Sequence, residues 1–200
     1  MYKEFTAQLK ELLSTPQDCV IFPHKNPDGD ALGSTLALWH FLKKEGHNCH
    51  VVSPNEYPKF LEWLPGQEQI HCFSKTPEAC EKLITEATVF FTLDFNALGR
   101  IGPMDKLLGK TTTPIVMIDH HEAPQSYATL KYSDPSIGST CEMVFNVLAS
   151  WDKSLLDKSI ATCLYTGMMT DSGSFRFSST TATTHKIVAQ LLELGVDHTI

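Results

Sequence analysis

The sequence predicts an α/β fold of the doubly wound type, in which a mostly parallel sheet is covered by helices on both faces. Three observations lead to this prediction. Short, almost continuous apolar runs alternate with segments of helical periodicity, as expected for strands buried on both faces and the helices that cover them. The 200 residues are enough for one normal core. A composition of 42% hydrophobic and 20% charged residues is that of an ordinary globular protein.

The first half of the chain alternates between helices and strands. A helical repeat of apolar residues runs from Phe5 to Leu13 and is ended by Pro16, and Gly46 closes a second, mostly buried helix. The predicted elements are helix 5–13, strand 18–23, helix 30–44, strands 49–53 and 69–73, and helix 77–86. Residues 54–66 are predicted to form a loop whose aromatic side chains belong either to the core or to a lid.

The second half continues the pattern, and polar residues follow its strands directly. Strand 87–93 ends in Asp94, and strand 113–118 ends in Asp119-His120-His121. We expect an edge strand at 130–133, a helix at 138–151, a helix at 155–169 that runs into Asp171, and a last helix at 181–194.

The stretch after the first predicted strand concentrates possible metal ligands. His24, Asp28 and Asp30 lie within seven residues, and Pro27 and Gly29 supply the turn that lets their side chains converge. Carboxylates crowded beside a buried strand repel one another unless a cation compensates for them. One imidazole and two carboxylates suit a hard or borderline divalent metal such as manganese or magnesium. The alternative is an Asp-rich turn in which Asp30 caps the following helix.

Three strands deliver residues of this kind at their carboxyl ends, where parallel sheets bind ligands. These residues are His24, Asp94 and the group Asp119-His120-His121. A single aspartate after a strand or helix, such as Asp94 or Asp171 alone, is more often a cap or a turn former. Several of them on one sheet edge, together with histidines, favour a functional site.

Other common sites are excluded or disfavoured. The chain has no GxxxxGK[ST] loop, no complete GxGxxG and no GxSxG. The remaining histidines lack convincing carboxylate neighbours and are expected to be structural or solvent-facing: His40, His47, His50, His71, His185 and His198. A net charge of −7 argues against binding long duplex nucleic acid but leaves room for a short phosphorylated ligand held through metal ions.

Cysteine usage and hydropathy indicate a cytoplasmic protein. The six cysteines contain no CxxC pair and are expected to be reduced core residues. No apolar run approaches the ~18 residues of a membrane span, and the first residues do not resemble a signal peptide.

The sequence has only two arginines, Arg100 and Arg176, which follow Asp94 and Asp171 by six and five residues. Arginine is well suited to bidentate phosphate contacts, so both are candidate phosphate ligands. The alternative is that both are surface residues.

Taken together, HxxxDxD at His24, the lone Asp94, the DHH triplet and the segment MMTDSGSFRF resemble the DHH phosphoesterase superfamily over nearly the whole chain. HKNPDGDALGS and DSGSFRFSST are most similar to the small bacterial oligoribonucleases and 3′-phosphoadenosine 5′-phosphate phosphatases of that superfamily. The resemblance implies two manganese ions, with magnesium or cobalt as substitutes. The implied ligands are His24, Asp28 and Asp94 for one ion, and Asp30, Asp94, His120 and Asp171 for the other.

The resemblance also implies roles for the remaining residues of the site. Asp119 would orient its neighbours, and His121 would contact the phosphate or protonate the leaving group. Arg100 and Arg176 remain our own candidates for phosphate clamps. Relatives usually continue through a linker into a smaller substrate-binding domain with a GGGH motif. We therefore expect a catalytic domain over residues 1–195, the start of a linker at 196–200, and no second domain within this sequence.

Three functions are compatible with these residues. The first is a two-metal phosphoesterase that hydrolyses short oligoribonucleotides or nucleotides such as 3′-phosphoadenosine 5′-phosphate. The second is a phosphoanhydride hydrolase, that is, a pyrophosphatase or exopolyphosphatase. The third is a metal- or nucleotide-binding module that is inactive without its second domain. We expect no membrane partner, and a homodimer is compatible with the sequence.

Overall fold

A computed structural model describes residues 1–199 and has a six-stranded sheet at its centre. The strands are β1 (Asp18–Phe22), β2 (Asn48–Ser53), β3 (Ile70–Cys72), β4 (Val89–Leu93), β5 (Ile115–Asp119) and β6 (Leu130–Ser133). Their order across the sheet is β3-β2-β1-β4-β5-β6, and all five pairings are parallel. The prediction of a mostly parallel sheet with residues 130–133 at its edge is confirmed.

Helices cover both faces of the sheet. They are α1 (Tyr2–Leu12), α2 (Gly29–Lys44), α3 (Pro77–Glu86), α4 (Asp105–Leu108), α5 (Thr140–Asp152), α6 (Lys158–Asp171) and α7 (Ala182–Glu193). In β1, Cys19 and Ile21 join the core cluster that contains α1, α2, α5, α6 and α7, whereas Val20 and Phe22 join the cluster that contains α3 and α4. Residues of β4 and β5 divide between the two clusters in the same way, so these central strands are apolar on both faces, which explains their continuous apolar runs in the sequence.

The sixth helix begins later than the sequence predicted. Residues Lys153–Leu155 form a separate 3₁₀ turn, and α6 starts only after Asp157, whose side chain accepts a hydrogen bond of 3.0 Å from the amide of Ile160. The prediction that the helix starts at residue 155 was wrong because the capping aspartate, rather than the apolar pattern, fixes where it begins. At its other end α6 includes Asp171.

The sequence analysis predicted no helix or strand in residues 95–112, yet this segment covers part of the second face of the sheet. A 3₁₀ segment, Leu98–Met104, leads directly into α4. Ile101, Met104 and Leu108 are buried against the sheet. The carbonyl of Arg100 accepts a 2.7 Å hydrogen bond from the amide of Lys25, so this segment is tied to the loop that follows β1.

The core also contains most of the cysteines. All six are free thiols, and all but the half-buried Cys72 are buried, as the sequence predicted. None of the helices within residues 1–199 combines the length and apolar character needed to cross a membrane.

Helices α2 and α6 approach closely enough that only glycine fits at two positions of their contact. A Cβ added at Gly33 would overlap the backbone carbonyl of Cys163, and one added at Gly167 would overlap the thiol of Cys141 and lie 2.8 Å from Oδ1 of Asp30. This approach brings the first turn of α2 next to the last turn of α6.

We expect Gly33→Ala to lower the free energy of unfolding by about 1–3 kcal/mol, because the new methyl group meets backbone that cannot move aside easily. Urea unfolding of the metal-free protein measures the change. Gly99→Ala is the matched control, since nothing lies within 4 Å of its added Cβ. An unfolding midpoint for Gly33→Ala equal to that of Gly99→Ala would contradict the close contact.

Candidate metal centre

All six residues predicted as metal ligands converge at the carboxyl end of the sheet. β1 and β4 are neighbours from which the chain continues to opposite sides of the sheet, and such a switch point is where open α/β sheets bind ligands. The first group consists of His24, Asp28 and Asp94, and the second group of Asp30, His120 and Asp171. Within each group, one candidate ligand atom per residue lies within 4.8 Å of the others.

His24 is held with one ring nitrogen facing the first group. Its Nδ1 lies 2.8 Å from the carbonyl oxygen of Lys25, and because a carbonyl can only accept, Nδ1 carries the hydrogen. Nε2 then faces Asp94 Oδ2 at 3.5 Å and Asp28 Oδ2 at 3.8 Å. Burial opposes a charge on this imidazole, but the neighbouring carboxylates of Asp28 and Asp94 outweigh it and raise the pKa of His24 to about 10.

Asp28 serves both the helix and the site. Its Oδ1 accepts hydrogen bonds of 3.0 Å from the amides of Asp30 and Ala31 and so caps α2, while its Oδ2 faces His24. The alternative interpretation had assigned this cap to Asp30. The structure gives it to Asp28 and leaves Asp30 two residues further on, in the first turn of α2 and almost fully buried.

Asp94 occupies the position between the two groups. Its Oδ2 faces His24, and its Oδ1 lies 3.6 Å from Nε2 of His120. The residue has a φ of 64°, in the left-handed region that a non-glycine residue adopts at a cost of about 1–3 kcal/mol. In this backbone conformation the Asp94 side chain points into the site, where its two oxygens face the two groups.

The second group repeats the arrangement of the first. Nδ1 of His120 lies 3.2 Å from the carbonyl oxygen of Ile137, so its Nε2 is directed at Asp171 Oδ2 (3.6 Å) and Asp30 Oδ2 (4.0 Å). Burial together with the charges of Asp94 and Asp171 raises the pKa of Asp30 well above its usual value. Burial likewise raises the pKa of Asp171, as do the charges of Asp94 and Asp28, although His120 opposes the shift.

These pKa shifts and the donor atoms both suit divalent cations. The site holds more negative charge than its two imidazoles can neutralise, and the available ligand atoms are carboxylate oxygens and imidazole nitrogens. The nearby thiol of Cys141 is directed at the carbonyl oxygen of Asp30 (3.6 Å), and burial raises its pKa. A site of oxygen and nitrogen ligands without a thiolate fits manganese, magnesium or cobalt.

In the triplet Asp119-His120-His121, the aspartate orients the second histidine, His121. Nδ1 of His121 donates a 2.7 Å hydrogen bond to Asp119 Oδ1, and the amide of His121 donates one of 3.0 Å to Oδ2. The contact with Asp119 raises the pKa of His121, and 42% of its side chain is exposed. Asp119 therefore orients His121, whereas His120 is oriented by a backbone carbonyl.

The two arginines differ in their relation to the site. Arg100 lies close enough to His121 for its positive charge to oppose protonation of that imidazole. The side chain of Arg176 donates from Nε to the carbonyl oxygen of Gly173 at 2.8 Å, within the loop that follows α6. Among the hydrogen bonds and ion pairs of residues 1–199, none joins the Arg176 side chain to either ligand group.

The start of α5 also contacts the site, which the sequence analysis missed. The amides of Thr140 and Cys141 and the hydroxyl of Thr140 all donate to Asp30 or Asp94. Ser139 followed by Glu142 is a recognisable helix-start pattern, but nothing local shows that this helix points at Asp30. Of the other histidines, His40 contacts the carbonyl oxygen of Pro65 and His47 accepts a hydrogen bond from the amide of Gln17, whereas His198 is exposed.

Comparisons with known proteins identify relatives of this chain. The model of the DHH family, N-terminal domain, matches residues 18–168. The bifunctional oligoribonuclease and PAP phosphatase NrnA of Thermus thermophilus is 34% identical over 181 residues, which cover 88% of this chain and 50% of the relative.

Two solved structures share the fold. An exopolyphosphatase-related protein from Bacteroides fragilis is 38% identical with a TM-score of 0.94, and the match covers 98% of this chain and 58% of that one. A putative family II inorganic pyrophosphatase from Methanococcus jannaschii has a TM-score of 0.64 at 18% identity, over 88% of this chain and 55% of its own. The chain thus spans about half the length of the NrnA relative.

In the metal-free protein we expect His24 to stay protonated at pH 8 and to lose its proton near pH 10. A raised pKa in the folded state stabilises the fold fully below the unfolded value of about 6.5, and this contribution is lost as the pH rises through 10. Asp94→Asn should lower the pKa of His24, whereas Asp152→Asn at the far end of α5 should not. Histidine NMR titration measures both, and a His24 pKa near 6.5 in the parent protein would contradict the ion pair.

Proposed function

The chain belongs to the DHH family, and on that basis we propose that it is a metal-dependent phosphoesterase. Its proposed substrates are short oligoribonucleotides or nucleotides such as 3′-phosphoadenosine 5′-phosphate. The observation that carries the proposal is the pair of ligand groups at the sheet edge, with Asp94 facing His24 through one oxygen and His120 through the other. Two cations sharing a carboxylate are suited to hydrolysing phosphate esters.

Each group would hold one divalent cation. The first group would bind through Nε2 of His24 and the carboxylates of Asp28 and Asp94, and the second through Nε2 of His120 and the carboxylates of Asp30, Asp94 and Asp171. Manganese is the first candidate because the donor set mixes imidazole with carboxylate, and magnesium or cobalt could occupy the same ligands. When bound, such a pair of cations lowers the pKa of a water and neutralises charge on a phosphoryl group.

The chain's own residues would supply orientation and proton transfer. The Lys25 and Ile137 carbonyls keep hydrogen on Nδ1 of His24 and His120, so that Nε2 of each ring is available as a ligand. The Asp119 carboxylate raises the pKa of His121 and so favours the protonated imidazole, in which Nε2 carries a hydrogen. From there His121 would donate to a phosphate oxygen or to the leaving oxygen.

Arg100 would contact a non-bridging phosphate oxygen. Its backbone is fixed to the loop that follows β1 through the Lys25 amide, and its charge reaches His121. Arg176 remains a second candidate, because its guanidinium is exposed and uses one nitrogen for Gly173.

Substrate choice rests on the resemblance to relatives. NrnA of Thermus thermophilus, named as an oligoribonuclease and PAP phosphatase, supports oligoribonucleotides and nucleotide phosphates. Because that relative is about twice as long as the match, we propose that residues 1–195 are a catalytic domain that works with a further substrate-binding domain. The free cysteines support a cytoplasmic location.

A phosphoanhydride hydrolase is the second candidate. The observation in its favour is the likeness to the Bacteroides fragilis protein described as exopolyphosphatase-related, at 38% identity. The same two ligand groups could act on pyrophosphate or polyphosphate, since both reactions displace an oxygen from phosphorus. Substrate preference therefore distinguishes the two candidates.

We expect Asp94→Asn to reduce manganese-dependent hydrolysis by at least about 100-fold, because the one carboxylate that faces both groups loses its charge. Asp18→Asn is the matched control, since Asp18 is an exposed aspartate at the opposite end of the sheet. The assay compares an RNA dinucleotide, 3′-phosphoadenosine 5′-phosphate and pyrophosphate.

Hydrolysis that is equal in Asp94→Asn and the parent protein would contradict a two-metal mechanism. A rate on pyrophosphate far above that on the dinucleotide would favour the second candidate. Binding of two manganese ions without turnover on any substrate would indicate a metal-binding module that needs its second domain.

We expect Arg100→Gln to lower kcat/KM by about 10-fold, mainly through KM, because a charge-assisted contact to the phosphate is lost. Lys106→Gln, an exposed cation on α4, is the control. Steady-state kinetics on the best substrate measures both variants, and an unchanged KM in Arg100→Gln would remove Arg100 from the substrate site.

A further inference from the structure

The start of α5 holds two of the carboxylates of the site. The amides of Thr140 and Cys141 donate to Asp30 Oδ2 at 2.6 Å and to Asp30 Oδ1 at 2.8 Å. The hydroxyl of Thr140 donates to Asp94 Oδ1 at 2.9 Å. Thr140 is thus the only residue among 1–199 that donates hydrogen bonds to carboxylates from two different ligands of the site.

These contacts come from a helix start that is fixed independently of them. Ser139, not Thr140, caps α5, because its hydroxyl oxygen accepts a 3.1 Å hydrogen bond from the amide of Glu142. Glu142 in turn accepts a hydrogen bond from Thr184 of α7. The Thr140 hydroxyl is therefore not needed to begin the helix, and it is completely buried.

The contact with Asp94 is asymmetric. Thr140 donates to Oδ1, the oxygen that faces His120 of the second group. The other oxygen, Oδ2, faces His24 of the first group and has no contact with Thr140. The Asp30 carboxylate, which the Thr140 amide also holds, belongs to the second group as well.

We infer that Thr140 is a positioning residue for the second group and makes the two cation sites unequal. This inference rests on the proposed function, because it requires both groups to bind cations. By donating its hydrogen to Oδ1, the hydroxyl fixes the rotation of the Asp94 carboxylate and leaves Oδ1 a further lone pair for the side of His120. Without it, His24 still holds Oδ2, whereas Oδ1 loses its hydrogen-bond donor.

Removing only the hydroxyl separates its effect on the Asp94 carboxylate from the effect of the helix amides on Asp30. Thr140→Val keeps the shape and the backbone amide that binds Asp30 but removes the donor to Asp94. Thr140→Ser restores the donor. Thr35→Val is the matched control, since Thr35 is equally buried and its hydroxyl bonds only the Ala31 carbonyl oxygen of its own helix.

The test is a manganese titration of each metal-free protein by calorimetry, with electron paramagnetic resonance of the bound manganese as a second readout. For Thr140→Val we expect the manganese affinity of one group to stay within twofold of its value in the parent protein. The manganese affinity of the other group should be weakened by about 10- to 100-fold, the usual effect of losing an outer hydrogen-bond partner of a metal ligand. The signal of a coupled pair of ions should then appear only at higher manganese concentration. Thr140→Ser and Thr35→Val should titrate like the parent.

Two results would overturn the inference while leaving the proposed function intact. One is a Thr140→Val protein that binds both ions as the parent does, and the other is an equal loss of both affinities. Failure of the proposed function looks different, because the parent protein itself would then bind no manganese or would bind it without hydrolysing any of the three substrates.

Discussion

The structure depends above all on the crowding of carboxylates at one end of its sheet. Asp28 with Asp30, Asp94 and Asp171 come from three separate places in the chain, and their ligand atoms lie within a few ångströms of two imidazoles. Such an arrangement is unfavourable without compensation, as the raised pKa values of Asp30 and Asp171 indicate. The surrounding fold supplies part of that compensation through amides, a hydroxyl and protonated imidazole, and the remainder is what a divalent cation would supply.

The elements around the site are arranged to hold this charge in place. Close packing of α2 on α6 at Gly33 and Gly167 sets Asp30 beside Asp171. The first amides of α5 have no hydrogen-bond partner within the helix, and they donate to the Asp30 carboxylate instead. Asp94 adopts a left-handed backbone conformation that the fold has to stabilise elsewhere. Rigid packing and directed hydrogen bonds therefore determine where each ligand atom lies.

This organisation explains why one site can be related to several phosphate-cleaving reactions. The ligand groups would provide the cations and His121 would provide a proton, and neither depends on which group the phosphate is attached to. Distinguishing an oligonucleotide from pyrophosphate requires contacts beyond the phosphate. Within residues 1–199 the candidates for phosphate contacts are Arg100 and Arg176, and the relatives are longer than this chain. We therefore expect substrate choice to depend on residues further from the candidate metal centre.

The sequence by itself determined the α/β class and the parallel sheet, and it predicted the six candidate metal ligands that the fold brings together. Apolar strands and helical repeats are local signals, and His24, Asp94 and His120 follow predicted strands, whose carboxyl ends meet at one edge of a parallel sheet. It did not determine the start of α6, the segment around α4, the cap of α2 by Asp28 or the role of Thr140. Each of these depends on which residues meet across the fold. Thr140 and Asp30 are 110 positions apart, and only the packing of α5 against α2 makes an ordinary helix start into a support for the metal centre.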